Sequence, residues 1–297
     1  MSEVSKTEGV LTKLLSSWSS RFYISLLLLI LLMGIAGPFI APYEADERVR
    51  GENGELLKNE PPSTNNLLGT TDQGYDVLSR LLIGTRPTIL SGLMGGGMII
   101  TIGLTIGLVS GYMGGIVDTV LMRLTDVAYG IPLIPFALVL VALFGVGYFT
   151  SILIIGALLW RSSARVIRSQ TLQIKERSFI LATKATGAST PRIILRHILP
   201  NVAPMAILFF ALTTGATILI MASLSFLGVT DPFVPSWGIM VRNAFDSGLI
   251  AQTPWWVLPP GLAIAFTVLS LFMVGRTVET ILDEEQGSDA EMVQVGG

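Results

Sequence analysis

The sequence predicts an all-α membrane protein with six transmembrane helices, on three observations. Of 297 residues, 51% are hydrophobic and only 13% are charged, against about 25% charged in ordinary soluble domains. Mean hydropathy is +0.67. Six stretches, 22–41, 87–112, 117–145, 148–168, 201–228 and 256–280, are apolar enough to cross a bilayer, which takes about 20 residues for about 30 Å of hydrocarbon.

Residues 1–21 form a polar tail before the first span, 22–41. That span, with "ISLLLLILLMGIAG", resembles a signal peptide, but few basic residues precede it and five further spans follow, so it is read as a retained helix. Residues 42–86 make a long loop in which "GENGELLKNEPPSTNN" is polar and rich in turn residues. After it, "DVLSRLLIG" places Val77, Leu78, Leu81 and Leu82 on one helical face, predicting a short interfacial helix.

Residues 87–280 form the five-helix core. In the second span Gly103, Gly107, Gly111 and Gly115 recur every fourth residue and share a face. Such a side-chain-free groove lets helix backbones touch in lipid, either within this chain or at a seam with another subunit. In the third span Arg123 and Asp126 are three residues apart and form a candidate intramembrane pair, structural or relaying. Pro132 and Pro135 in "GIPLIP" remove backbone donors and predict a kink or local unwinding.

Between the fourth and fifth spans the chain leaves the membrane. "TLQIKERSFILATKAT" is rich in helix formers and stops at Gly187, which suits the left-handed position after a helix. Thr190 is the expected N-cap and Pro191 the first helical residue of "PRIILRHIL", and Pro200 is expected to close that helix. The result is a basic helical hairpin within a loop at 169–200. Phe179, Ile180, Ala182, Ala185, Ile193 and Ile194 are too many apolar residues for so small a unit to bury, so some should face a partner. His197, beside Arg196, has no nucleophile or second base to serve. The chain ends in an acidic tail, 281–297.

Basic residues set the orientation. Lys6, Lys13, Arg21, Arg123, Arg276 and eight residues from Arg161 to Arg196 fall on the side of the N-terminus. Arg48, Arg50, Lys58, Arg80, Arg86 and Arg242 fall on the other, so both termini are expected in the cytoplasm. The absence of cysteine and the single histidine exclude thiolate and multi-histidine metal sites. A net charge of −2 gives no attraction to nucleic acid. No G-x-x-x-x-G-K-[ST] loop is present, and "GLMGGGM" lacks the lysine, so the chain is expected to bind no ATP itself.

The loop resembles the cytoplasmic loop of permeases of ATP-binding-cassette importers: Glu-Ala-Ala, three residues, Gly, nine residues, a hydrophobic position, any residue, Leu-Pro. Ala182, Gly187, Leu199 and Pro200 match at that spacing, while Leu181 stands where glutamate is usual and Thr183 where the second alanine is usual. "LLGTTDQGYDVLSRLLIGTRPTI" is similar to the "GTD-x-x-G-R-D-V-L-S-R" stretch of oligopeptide, dipeptide and nickel importer permeases of the C type, with Tyr75 in place of the arginine and a one-position shift near Thr70–Asp72. "LMRLTDVAYGIPLI" and "SLSFLGVTDPFVPSWGIMV" resemble further stretches of that family, and the four together cover about residues 65–280.

The resemblance implies a type I importer permease fold. It implies a bacterial or archaeal plasma (inner) membrane, a second permease subunit, two ATP-binding subunits carrying ATP and Mg, and an extracytoplasmic substrate-binding protein. It also implies that the hairpin couples to an ATPase, through Phe179, Ala182, Lys184, Ala185, Gly187, Arg192, Arg196, His197, Leu199 and Pro200. Peptides are the cargo it implies first, with nickel and oligosaccharides as alternatives. An ion-coupled secondary transporter would want intramembrane acids or histidines, which spans four to six lack near their centres.

Overall fold

The computed structural model describes the backbone of residues 17–295 and the side chains as far as Ile281. Lys6, Lys13 and the side chains of the acidic tail lie outside the described residues. The helices are α1 Trp18–Ile40, α2 Val77–Met113, α3 Gly115–Gly130, α4 Leu133–Phe144, α5 Tyr148–Lys175, α6 Ser178–Ala185, α7 Thr190–Phe226, α8 Trp237–Asp246 and α9 Pro254–Val295. Five of them are long and apolar enough to span a membrane, and α3 with α4, bent by 90° at their junction, adds a sixth when the pair is taken as one span.

The centre of the bundle is α2, whose glycines face two neighbours. Toward the hairpin end they face α5: a Cβ on Gly103 would lie 2.6 Å from the Ser163 Cβ, one on Gly107 2.8 Å from the Ala164 carbonyl, and one on Gly111 3.0 Å from the Arg168 carbonyl. Toward the opposite end, Gly92, Gly95 and Gly96 take in Ile218, Thr217 and Thr214 of α7 in the same way. Lipid supplies no hydrophobic force between helices, so contact at backbone distance is what dispersion can reward. The threonines on these faces satisfy their own hydroxyls, Thr171 on the Ile167 carbonyl and Thr217 on the Thr213 carbonyl, whereas the buried Ser163 hydroxyl opposite Gly103 has no partner. Gly115 stands apart from the groove predicted for it. It has φ +55°, nothing within 4 Å of its would-be Cβ, and opens α3 behind Gly114.

Residues 76–84 are no separate interfacial helix. Asp76 caps α2 by accepting from the Ser79 amide at 2.8 Å and the Ser79 hydroxyl at 2.7 Å, and the helix runs unbroken through Pro87 to Met113. Asp76 also receives Asn66 Nδ2 at 2.8 Å, and Arg80 donates to the Ala45 carbonyl while lying 4.1 Å over the Tyr75 ring. The polar loop from residue 42 to 75 is thereby folded onto the end of α2. At the same end Trp237 is buried, donating from Nε1 to the Leu81 carbonyl and from its amide to Thr88 Oγ1. Gly238 beside it lets α8 approach Ala222 of α7, which accounts physically for "PSWG". The last helix also outruns its expected end at 280, continuing to Val295.

The seam makes a sharp contrast testable. Gly107→Ala should lower the melting temperature of the purified protein in detergent, because overpacking against a backbone carbonyl costs about 1–3 kcal/mol. Gly261→Ala, at a helical site with nothing within 4 Å, should leave it unchanged or slightly raised. Equal melting of the two variants contradicts the seam.

Candidate functional site

The hairpin is built on three buried isoleucines. Ile180 on α6, and Ile193 and Ile198 at the start of α7, pack with Ile174 and Ile167 of α5 and Leu108 of α2. To bury Ile180 the chain breaks after Lys175 and restarts at Ser178, so the single helix predicted from "TLQIKERSFILATKAT" is two. No glycine or proline marks that break, and tertiary burial decides it. Gly187 turns the chain at φ +82° with open space around it, and its amide donates to the Lys184 carbonyl at 3.1 Å. Ser189 is the extended residue before α7, so Thr190 is the first helical residue and not the cap.

Pro200 does not close the helix. Residues Ile194–Ile198 widen into one π turn, in which the Leu199 amide reaches the Ile194 carbonyl, and α7 then continues to Phe226. Asn201 Nδ2 donates to the His197 carbonyl at 2.7 Å, supplying a partner within the disturbed turn. Wide turns of this kind absorb one residue without ending a helix. The second arm of the hairpin is therefore one rod with a membrane span, with no loop between them.

Phe179 is 39% exposed, Leu181 51% and Leu195 63%. Ala182, Lys184, Ala185, Arg192, Arg196 and Pro200 are exposed as well, with His197 and Leu199 half-buried. Leu181, at the position where the resemblance expects glutamate, adds to an apolar surface with a basic rim. Apolar side chains grouped outside the spans mark a contact surface.

A second group of residues lies where the third span breaks. Arg123 and Asp126 do not pair. Asp126 accepts from Arg165 Nη2 of α5 at 2.6 Å, and Arg123 is exposed. Tyr129 lies under two guanidinium groups, 4.0 Å from that of Arg165 and 5.0 Å from that of Arg161. One turn on, Arg168 grips Asp118 with both arms of its fork, Nε to Oδ1 and Nη2 to Oδ2, each at 2.6 Å. Arg161, Arg165 and Arg168 follow one another at intervals of four and three on one face of α5. Their spacing was legible in the sequence, but their partners sit some forty residues earlier.

Arg161 also explains how the break is tolerated. The Ala128 carbonyl would normally receive the amide of residue 132, but that residue is Pro132 and has no N–H. The Ile131 amide reaches it only at 3.4 Å, and Arg161 Nη1 adds a donor at 2.8 Å. Arg165 lies on α5, one of the helices long and apolar enough to cross a membrane, about 26 Å from its first residue at about 1.5 Å per residue. Its side chain and that of Asp126 are 47% and 49% exposed. A charge facing hydrocarbon costs about 2.5–3.5 kcal/mol on insertion scales, so this face belongs against water or protein. Among the described residues no group of three acids or histidines could hold a metal ion.

Comparison with known proteins fits this architecture. Residues 103–286 match the family of binding-protein-dependent transport system inner membrane components. The chain belongs to that family. It is 34% identical over 261 residues to the dipeptide transport system permease protein DppC of Bacillus subtilis, covering 87% of this chain and 79% of the relative. The glutathione transport system permease protein GsiD of Pectobacterium atrosepticum is 34% identical over 260 residues, 86% of this chain and 84% of its own length. The oligopeptide transport system permease protein OppC of Bacillus subtilis is 31% identical over 259 residues, 87% and 83%. The chain is thus a multi-pass inner membrane permease, and membership implies separate ATPase and substrate-binding proteins as partners.

The fork between Arg168 and Asp118 should show itself energetically in this permease. In a double-mutant cycle of Arg168→Gln and Asp118→Asn, melting in detergent should give a coupling of about 0.5–3 kcal/mol. Simple additivity would mean that the pair does not hold α3 to α5.

Proposed function

We propose that this permease is the C-type subunit of an ATP-driven importer that moves peptides, or closely related solutes, from an extracytoplasmic binding protein into the cytoplasm. The relatives named for dipeptide, glutathione and oligopeptide transport support the cargo class. The observation that carries the mechanism is the hairpin, apolar on its outer face, packed on α5 through its first arm and continuous with a bundle helix through its second. In this reading it rests on one of two ATPase subunits at the cytoplasmic side, with both termini of the chain on that side. A second permease of similar fold completes the passage.

The geometry supports a simple sequence of events. When ATP draws the two ATPase subunits together, the hairpin is carried with them. Its first arm hangs on the end of α5 through Ile174 and Ile180, and its second arm is α7 itself. Both helices are packed on the glycine faces of α2, so they shift as a body against α3–α4 or against the second permease. ATP drives import only if its bound state favours one of the two bundle arrangements. Phe179, Ala182, Lys184, Ala185, Gly187, Arg192 and Arg196 are the contact residues in this reading. His197, Leu199 and Pro200 shape the wide turn behind them.

Gly187 gives the test. A β-branched residue at φ +82° carries about 1–3 kcal/mol of backbone strain, whereas asparagine tolerates the left-handed region. In sealed vesicles with an uncoupler present, ATP-dependent uptake of a tripeptide is expected from the wild-type importer. Gly187→Asn should largely keep it, and Gly187→Val should lose it while the ATPase subunits stay active. Full uptake by Gly187→Val, or uptake abolished by the uncoupler, contradicts the proposal.

A further inference from the structure

We propose that Arg161 and Arg165, seated on Tyr129 at the break between α3 and α4, form a receiving station for a carboxylate in a water-filled passage along the α3–α5 face. For the identity of the carboxylate, the free terminus of a peptide, this rests on the function proposed above. The existence of the station does not.

The charge balance is the first argument. Around the break stand Arg123, Arg161 and Arg165, and among the described residues only Asp126 answers them there, because Asp118 is already held by both arms of Arg168. The excess is positive, at a depth where charge faces water or protein and not lipid. The second argument is geometric. The hydrogen bonds of Arg161 run from Nη1, to the Ala128 and Leu158 carbonyls, and that of Arg165 runs from Nη2 to Asp126. Each guanidinium keeps a free edge, and a planar fork is suited to receiving a carboxylate. The Tyr129 ring lies 4.0 and 5.0 Å from the Arg165 and Arg161 guanidinium carbons and holds both groups beside the break. The third argument is the exposure of α3, on which only Thr125 is buried. A helix at membrane depth with charged residues and almost no burial in its own subunit has its complement elsewhere, in a partner and the passage beside it.

Asp126 has a defined part in this station. It pairs with one side of Arg165, so an arriving carboxylate exchanges with it or takes the free edge. The site then holds an anion without trapping it, as a station on a route requires.

The chain contains no cysteine, and Gly130, one turn beyond Asp126 on the same face, has open space for a side chain. Gly130→Cys in the intact importer in proteoliposomes is therefore a clean probe. A negatively charged methanethiosulfonate should label it faster than a positively charged one of similar size, by about tenfold from local attraction. Adding Arg165→Gln should remove most of that preference. Millimolar trialanine should slow the anionic reagent, and trialanine amide should not. No labelling with or without ATP, or no preference between reagents, would each overturn the station, and equal protection by acid and amide would overturn the peptide terminus as its carboxylate. None of these readouts uses uptake, so failure of peptide transport would count against the proposed function alone.

Discussion

Backbone-to-backbone contact of α2 with two neighbours is the constraint on which the architecture depends. In a bilayer, burying apolar side chains gains little, because lipid tails are as apolar as leucine. What distinguishes one arrangement from another is how closely helices fit. Gly103, Gly107 and Gly111 set α5 in place, and Gly92, Gly95 and Gly96 set α7. Those two helices carry the two arms of the hairpin. The glycines of one helix therefore determine where a surface outside the membrane is presented.

The same helix pair explains why the two candidate sites can be linked. The arginine face of α5 holds α3, while the neighbouring face of α5, with Ser163, Ile167 and Thr171, and the face of α7 with Thr214, Thr217 and Ile218 lie on α2. On the proposed reading, motion delivered through Ile174 and Ile180 would reach Arg161, Arg165 and Arg168 along α5. By contrast α3 is held mainly by polar contacts: a bidentate ion pair, a second ion pair, a carbonyl bond and two stacked guanidinium groups. Polar contacts have alternative partners in water, whereas the glycine seams have none. The bundle thus consists of a closely packed block and one bent span attached by exchangeable contacts.

Much of this was legible in the sequence. Composition and span lengths disclosed the membrane class, the four-residue glycine period disclosed the close-packed face, and "GIPLIP" disclosed the break. Gly187 was identifiable because a glycine after a helix-forming run has a specific conformational use. The errors share a cause. Pro200 was expected to end a helix because proline lacks a donor, but a π turn one step earlier absorbs it. Gly115 continued the glycine period in sequence but not in space, since the helix had already ended at Met113. Arg123 was matched with Asp126 because they share a helix, while Arg165 on another helix holds that aspartate. Local rules see neighbours along the chain, and the contacts that decided these positions come from across the bundle.

The central claim is that the hairpin transmits ATPase movement into a bundle that performs no hydrolysis of its own. Single cysteines replacing Ala182 or Ala185, both exposed on α6, allow a direct measurement in the assembled importer. Short bifunctional cross-linkers should join each cysteine to an ATPase subunit, with a yield that changes between nucleotide-free and ATP-bound states. An active assembly in which neither position cross-links to the ATPase in any nucleotide state would contradict the account.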